Sequence, residues 1–284
     1  MTERILNNMN FYIIPSPIGN LDDITIRSIQ VLKELDLLIV ENANKAKIIL
    51  KHYDIKPKNV LVYNDKSTDK DRKKIISLLK KIPSGGIMSE AGTPLISDPG
   101  FKLITDLITL KVKIIPLPGA TSVITSLVAS GLPANRFQFI GFFPKIKKDA
   151  ESLCGSLLNF NGTTIIFESP KRIIDTLNFL DQKFGDLAEV CVAKEITKIH
   201  ENFFRGSPKK IEKLLLESKD LVKGEFVILI KVTNINESFL LADRIYNQLL
   251  SKLSLKDLSK VVSEITGINK NKIYKRFLSF SKNS

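Results

Sequence analysis

The sequence predicts an α/β protein: two α/β domains with a ligand cleft between them, followed by a small helical C-terminal tail. Three observations carry that prediction. Short apolar runs alternate with helical stretches from residue 11 to about 232, the pattern of a sheet covered on both faces. Several of those runs break into small residues, prolines and glycines just before a helix, as ligand loops do at the carboxyl ends of strands. After about residue 236 only helical spacing remains. On this reading the 284 residues divide into domains at 1–118 and 119–235 and a tail at 236–284.

The first strand is Phe11-Tyr12-Ile13-Ile14, closed by Pro15-Ser16-Pro17-Ile18-Gly19-Asn20. Ile24 to Leu35 has helical spacing, with Ile26, Ile29, Val31, Leu32 and Leu35 able to share a broad face. Leu37–Val40 is a buried strand ending at Glu41, and Ala46 to Tyr53 is a short helix. Val60–Tyr63 is a strand, and a charged helix runs from about Asp69 to Lys81. Gly86-Ile87-Met88 then enters the most distinctive run of the chain, Ser89-Glu90-Ala91-Gly92-Thr93-Pro94-Leu95-Ile96-Ser97-Asp98-Pro99-Gly100, ahead of a helix from Phe101 to Leu110. Gly92 allows a sharp turn or a close approach to a ligand. Pro94 and Pro99 stiffen the loop, and Asp98 is placed to cap the following helix. Val112 to Pro118 is the next strand, and Gly119-Ala120-Thr121-Ser122 opens a helix that Gly131-Leu132-Pro133 stops.

The second half repeats this texture. Phe137 to Phe143, Thr163 to Phe167, Glu189 to Ala193 and Phe226 to Val232 are strands, with helices in the gaps. The segment Lys145–Asp149 reads as a basic, mobile loop, and the first nine residues as a mobile terminus. In the tail, Leu240–Leu253, Leu258–Ile265 and Ile273–Leu278 are helical, with Asn269 an N-cap. That is a helix-turn-helix-like pattern, read here as an RNA-docking or packing appendage rather than a DNA reader.

Lys and Arg number 43 against 30 Asp and Glu, a net charge of +13. That excess favours a polyanionic partner, nucleic acid ahead of a membrane surface. Cys154 and Cys191 lie far apart and form no metal or disulfide pattern, and His52 and His200 are isolated. A metal site and a Ser-His-Asp triad are therefore not expected. Neither a signal-peptide core nor an apolar run long enough for a bilayer appears, which fits a reducing cytoplasm.

The strand-end loops at 15–19, 91–96, 118–122, 168–169 and 193–197 carry hydroxyls, small residues and apolar side chains. That content suits a neutral or zwitterionic adenosine-like ligand. Neither a P-loop nor a G-x-G-x-x-G fingerprint is present.

At these residues the chain resembles the tetrapyrrole (corrin/porphyrin) methylase superfamily, and within it the methyltransferases acting on the cytidine ribose 2′-oxygen of small-subunit (16S) ribosomal RNA. The resemblance rests on Pro15–Leu21, Ala91–Gly100, Pro116–Ala120, Gly131–Pro133, Glu168–Arg172, Lys194–Lys198, Lys223–Glu225 and the tail from Leu258 to Phe277. It implies S-adenosylmethionine bound between the two domains. By the same analogy Ala91, Gly92, Thr93 and Ile96 line one side, with Thr121 and Ser122 beside them. Ser169, Ala193 and Phe226 come from the second domain, and Pro17, Ile18 and Gly19 border the methyl and substrate side. The implied partner is small-subunit ribosomal RNA or the assembled subunit, and the implied state a homodimer.

A ribose hydroxyl is a weak nucleophile that a proton acceptor would help. Glu41 ranks first for that role and Glu168 second, while Glu195 is expected to pair with a local lysine. Lys171, Arg172, Lys194, Lys198, Lys275 and Arg276 are the candidate RNA-backbone cations. Two loops depart from the family pattern. Glu41-Asn42-Ala43-Asn44 stands where Glu-Asp-Thr-Arg is usual, and Asn64-Asp65-Lys66-Ser67 where a His-Glu-His-Asn-like segment is usual. Glu90 replaces the usual Asp. These departures leave two other readings open: an RNA- and cofactor-binding protein without turnover or with another target, and a small-molecule methylase of the tetrapyrrole type.

Overall fold

A computed structural model describes residues 9–218, 220–233, 235–250 and 252–281. The first half is a five-stranded sheet of β1 (Asn10–Ile14), β2 (Leu37–Val40), β3 (Val60–Val62), β4 (Ser84–Met88) and β5 (Lys113–Pro116), in the order β3-β2-β4-β1-β5. Every pairing in it is parallel. Parallel strands need crossovers, and α1 (Ile26–Glu34), α2 (Ala43–His52), α3 (Asp69–Leu79) and α4 (Phe101–Thr109) supply them. The helices cover both faces. Phe11, Ile39, Leu79, Leu103 and Leu107 form a core on one side, and Ile14, Leu32, Leu38 and Met88 one on the other. Each such buried side chain contributes about 1.5–3 kcal/mol.

The second sheet contains β6 (Phe137–Phe142), β7 (Thr163–Glu168), β8 (Ala188–Lys194), β9 (Asn202–Gly206) and β10 (Phe226–Val232), in the order β6-β7-β10-β8-β9. It is mixed: β6 and β7 are parallel, and the other three pairings are antiparallel. The helices α5 (Ser122–Ser130), α6 (Lys147–Leu158), α7 (Ile173–Phe184) and α8 (Pro208–Leu216) belong to this half. The tail is α9 (Ile235–Leu249), α10 (Leu255–Thr266) and α11 (Lys270–Ser281), packed through Tyr246, Leu258, Val262, Ile273 and Phe277. Asn269 accepts a hydrogen bond from the Asn271 amide, at the expected N-cap of α11. Among the described residues no helix is long and apolar enough to cross a membrane.

Four expectations need correction. Strand β9 is absent from the sequence reading, because only Phe203 and Phe204 are apolar in it and no alternation frames them. The segment Lys145–Asp149 is not a loop throughout: α6 starts at Lys147 because Ala150, Cys154 and Leu157, at helical spacing, all enter the core. Met9 is fully buried in the first core rather than part of a mobile terminus; residues 1–8 lie outside the described residues. Asp98 does not cap α4. The N-cap there is Gly100, at φ 126°, with no side-chain hydrogen bond.

Candidate active site

The loops after β1, β4 and β5 are tied together by backbone. Ser16 and Gly92 exchange N–H···O bonds of 2.9 and 3.0 Å, and the Thr93 hydroxyl donates to the Ala120 carbonyl at 3.0 Å. The Ser89 hydroxyl closes the 89–92 turn on the Gly92 carbonyl at 2.8 Å. Gly92 sits at φ 81°, and a Cβ there would stand 3.1 Å from Ile18 Cγ2. A side chain at this position is thus both strained and crowded.

The second sheet faces these loops with one aligned edge. Register pairs Phe226 with Glu168 on one side and with Lys194 on the other, so the ends of β7 and β8 and the start of β10 coincide. Between the two halves lies a cavity of about 380 Å³, a size suited to a small cofactor. Its apolar wall includes Ile18, Ile96, Phe142, Phe167, Ile196 and Phe226. Its polar groups include Thr93, Thr121, Ser122, Ser169 and the carboxylates Asp98, Glu168 and Glu225.

Asp98 joins this cavity to a group of acids. Burial pushes its carboxyl up to about 6, and the negative charges of Glu41, Glu90 and Asp65 add to the shift. The Ser89 hydroxyl offsets this only in part. Asp98 Oδ2 is sealed from solvent and has no hydrogen-bond partner among the described residues. Glu41, at the end of β2, is half-buried, and burial with the charges of Glu90 and Asp65 pushes its carboxyl up as well. Glu168 is different. Its carboxylate accepts from the Ser169 amide, the Thr176 hydroxyl and Arg172, with Arg172 Nη2 at 2.7 Å, so it is a saturated structural anion.

The structure places Ile18, Ala91, Gly92, Thr93, Ile96, Thr121, Ser122, Ser169 and Phe226 on one cavity. Three other expected lining residues are not on it. Ala193 is buried in the core beneath, with Ile165, Cys191 and Leu229. Pro17 is buried, and Gly19 turns toward Thr197 and Lys198. The sequence reading missed Ser97, Asp98, Phe142, Phe167, Ile196 and Glu225 as cavity residues. Period-2 alternation from Ile165 could have flagged Phe167, whereas Phe142 reaches the same face only through a register shift after Phe139; the others depend on loop conformation.

Of the cation candidates, Lys171 and Lys275 are exposed. Arg172 is not free for RNA, because Glu168 and the Phe143 carbonyl hold it. Arg276 makes a bidentate pair with Asp243 at 2.8 and 2.7 Å. Lys198 bridges Glu195 and Glu225 at 2.9 Å each, which includes the pairing expected of Glu195. Lys194 is only 6% exposed. Cys154 and Cys191 are buried thiols, each pushed up to about 11 by burial. No metal-binding group of acids, histidines and cysteines occurs among the described residues.

The altered loops keep their shape by other means. Asn42 Oδ1 caps α2 by accepting from the Asn44 amide at 3.0 Å. Asn64 accepts from the Lys66 amide at 3.0 Å, donates to the Glu41 carbonyl at 3.4 Å and binds the Ser67 hydroxyl through its own amide at 2.9 Å.

Comparison with known proteins matches this architecture. The tetrapyrrole (corrin/porphyrin) methylase family matches residues 10–212, and the RsmI C-terminal HTH domain matches residues 238–280. Ribosomal RNA small subunit methyltransferase I of Hydrogenobaculum sp. (strain Y04AAS1) is 40% identical, over 80% of this chain and 97% of that protein. Its namesake from Buchnera aphidicola subsp. Acyrthosiphon pisum (strain APS) is 37% identical, over 93% of this chain and 94% of that one. Among solved structures, the cobalamin biosynthetic enzyme cobalt precorrin-4 methyltransferase superposes with a TM-score of 0.56 at 18% identity, covering 79% of this chain and 95% of its own. Uroporphyrin-III C-methyltransferase from Thermus thermophilus, complexed with S-adenyl homocysteine, superposes at 0.53 with 13% identity, covering 78% and 97%. These distant structures share the fold, and the closer relatives narrow it: the chain belongs to the tetrapyrrole (corrin/porphyrin) methylase family, among the ribosomal RNA small subunit methyltransferases I.

Proposed function

We propose that the protein methylates the ribose 2′-oxygen of a cytidine in small-subunit (16S) ribosomal RNA, using S-adenosylmethionine. The observation that carries this reading is one cavity, walled by both halves, that meets a group of carboxylates at Asp98. S-adenosylmethionine supplies an electrophilic methyl group on a sulfonium. The cavity's residues fit such a molecule. Phe142, Phe167 and Phe226 offer apolar surface for an adenine. Thr121, the N-cap of α5, makes no side-chain capping bond, which leaves the first amides of α5 available to a carboxylate. Ile18, Ala91, Gly92, Thr93, Ile96, Thr121, Ser122, Ser169 and Phe226 would hold the cofactor.

Transfer needs the ribose hydroxyl held in line with the methyl group, and its proton needs a destination. Asp98, with its carboxyl at about 6, is ionised at neutral pH yet more basic than an ordinary aspartate. It is the proton acceptor on this reading. Burial is the main reason that Asp98 is basic, and Glu41 is the largest of the neighbouring charges that add to it. Lys171 and Lys275, within a net charge of +13, attract the RNA backbone. The same reading makes the enzyme a cytoplasmic homodimer, which sedimentation of the purified protein would check.

The test is labelled-methyl transfer from S-adenosylmethionine to small ribosomal subunits that lack the modification. Incorporation that falls steeply with salt is expected. Incorporation into a porphyrinoid instead would mark a tetrapyrrole methylase. Tight cofactor and RNA binding without incorporation would mark a non-catalytic member.

A further inference from the structure

The turn after β8 is held more tightly than a connection requires. Glu195 (φ 49°) and Thr197 (φ 65°) both take the left-handed conformation, which non-glycine residues adopt at a cost. Five hydrogen bonds hold the turn. The Glu195 amide donates to the Glu225 carbonyl at 3.0 Å, and the Glu225 amide donates to Glu195 Oε1 at 2.8 Å. The Lys198 amide donates to the Glu195 carbonyl at 3.0 Å, and the Thr197 amide donates to Glu201 Oε2 at 2.7 Å. Across the cleft, the Asn20 amide donates to the Thr197 hydroxyl at 3.0 Å.

Lys198 closes this arrangement. Its ammonium lies 2.9 Å from Glu195 Oε1 and 2.9 Å from Glu225 Oε2. Two glycines make room for it. A Cβ on Gly224 would fall 2.6 Å from Glu195 Cδ, and a Cβ on Gly19 would fall 2.5 Å from Lys198 Cγ. The residues on the inner side of this turn, Ile196, Glu225 and Phe226, line the cavity opposite Ile18.

We propose that Lys198 is a positioning residue for the cofactor: by bridging Glu195 and Glu225 it clasps the 195–198 turn to the start of β10, holds Thr197 where its hydroxyl accepts from the Asn20 amide of the 18–20 loop, and so fixes the cavity wall. The role of the wall rests on the cofactor reading above, whereas the clasp itself is a property of the free protein. Lys198 therefore acts inward and is not an RNA-backbone cation.

Two measurements on the full chain separate these points. Amide hydrogen exchange in the free protein reads the clasp. Calorimetry with S-adenosylhomocysteine reads its consequence. Lys198→Ala is expected to speed exchange at Asn20, Thr197 and Glu225 and to weaken S-adenosylhomocysteine roughly tenfold, the scale of one lost charge-assisted bridge. The slope of RNA affinity against salt should not change. Lys198→Arg should restore most of both readouts. Gly19→Ala, on the other side of the contact, should speed exchange at Thr197 in the same way. Unchanged exchange in Lys198→Ala, together with a shallower salt slope for RNA, would overturn the proposal and return Lys198 to the RNA surface. Faster exchange with unchanged S-adenosylhomocysteine affinity would leave a clasp but overturn the positioning role. A wild-type protein that shows the clasp but binds no S-adenosylhomocysteine would overturn the positioning role too, and the cofactor reading with it.

Discussion

The cofactor side and the acceptor side of the cavity are specified by different physics. On the cofactor side, loop geometry decides. The backbone Ser16–Gly92 pair of hydrogen bonds, the bond from the Thr93 hydroxyl to the Ala120 carbonyl and the left-handed Gly92 fix three loops against each other. On the acceptor side, burial and charge decide. Asp98, Glu41, Glu90 and Asp65 come from three separate loops, and burial, with the repulsion of the other three carboxylates, raises Asp98 to about 6. On the second side Asn42 caps α2 and Asn64 closes a turn on the Lys66 amide, so each satisfies its own loop. Binding and proton acceptance should therefore fail independently.

Asp98→Asn should break the acceptor side alone. Turnover should drop on the order of 10²–10⁴-fold, the usual contribution of a positioned base, with S-adenosylhomocysteine affinity nearly unchanged. Steady-state kinetics with calorimetry on the same preparation would check it; a matching loss of affinity would merge the two sides. Gly92→Val should break the cofactor side alone. A β-branched residue at φ 81°, pressed against Ile18, is expected to cost about 2–3 kcal/mol, or 30- to 150-fold in cofactor affinity.

The pH profile sharpens the contrast. A proton acceptor works only when ionised, and Asp98 ionises at about 6. Turnover should therefore rise from about pH 5 to about pH 7 and then level off, while cofactor affinity stays flat over the same range. In Glu41→Gln one neighbouring negative charge is removed, so the limb should move to lower pH. A limb unmoved in that variant would show that the two carboxylates do not communicate. Other effects concern stability and RNA. Glu168→Gln, on the cavity wall, should leave Arg172 half-paired and lower stability by about 3 kcal/mol in chemical denaturation. Lys275→Ala should cost less than about 1 kcal/mol of RNA affinity and reduce the salt slope by about one.

The same division explains what the sequence disclosed. Leu37–Val40 is a continuous apolar run and Phe226–Val232 one broken only by Lys231, and the structure gives them those bounds. Gly92, Thr93, Thr121 and Ser122 were legible because small residues between a strand and a helix mark loops whose backbone must approach a ligand. Asp98 was not, because its role comes from burial and from neighbouring carboxylates, of which Glu41 and Asp65 are more than thirty residues away in sequence, and locally it reads as a helix cap. Ala193 was expected on the cavity and lies on that face of the sheet, paired with the cavity residue Val227, but deeper, packed with Ile165, Cys191 and Leu229. Arg172 and Arg276 read as surface cations until their carboxylate partners come into view. A charge count measures attraction to RNA but does not assign it to residues.

The most direct test is to map the labelled atom after transfer to unmodified small subunits, by nuclease digestion and mass spectrometry of the nucleosides. Label on the ribose 2′-oxygen of a single cytidine, lost in Asp98→Asn while S-adenosylhomocysteine still binds, is the predicted result. Label on a base, or on no RNA at all with cofactor bound, would contradict it.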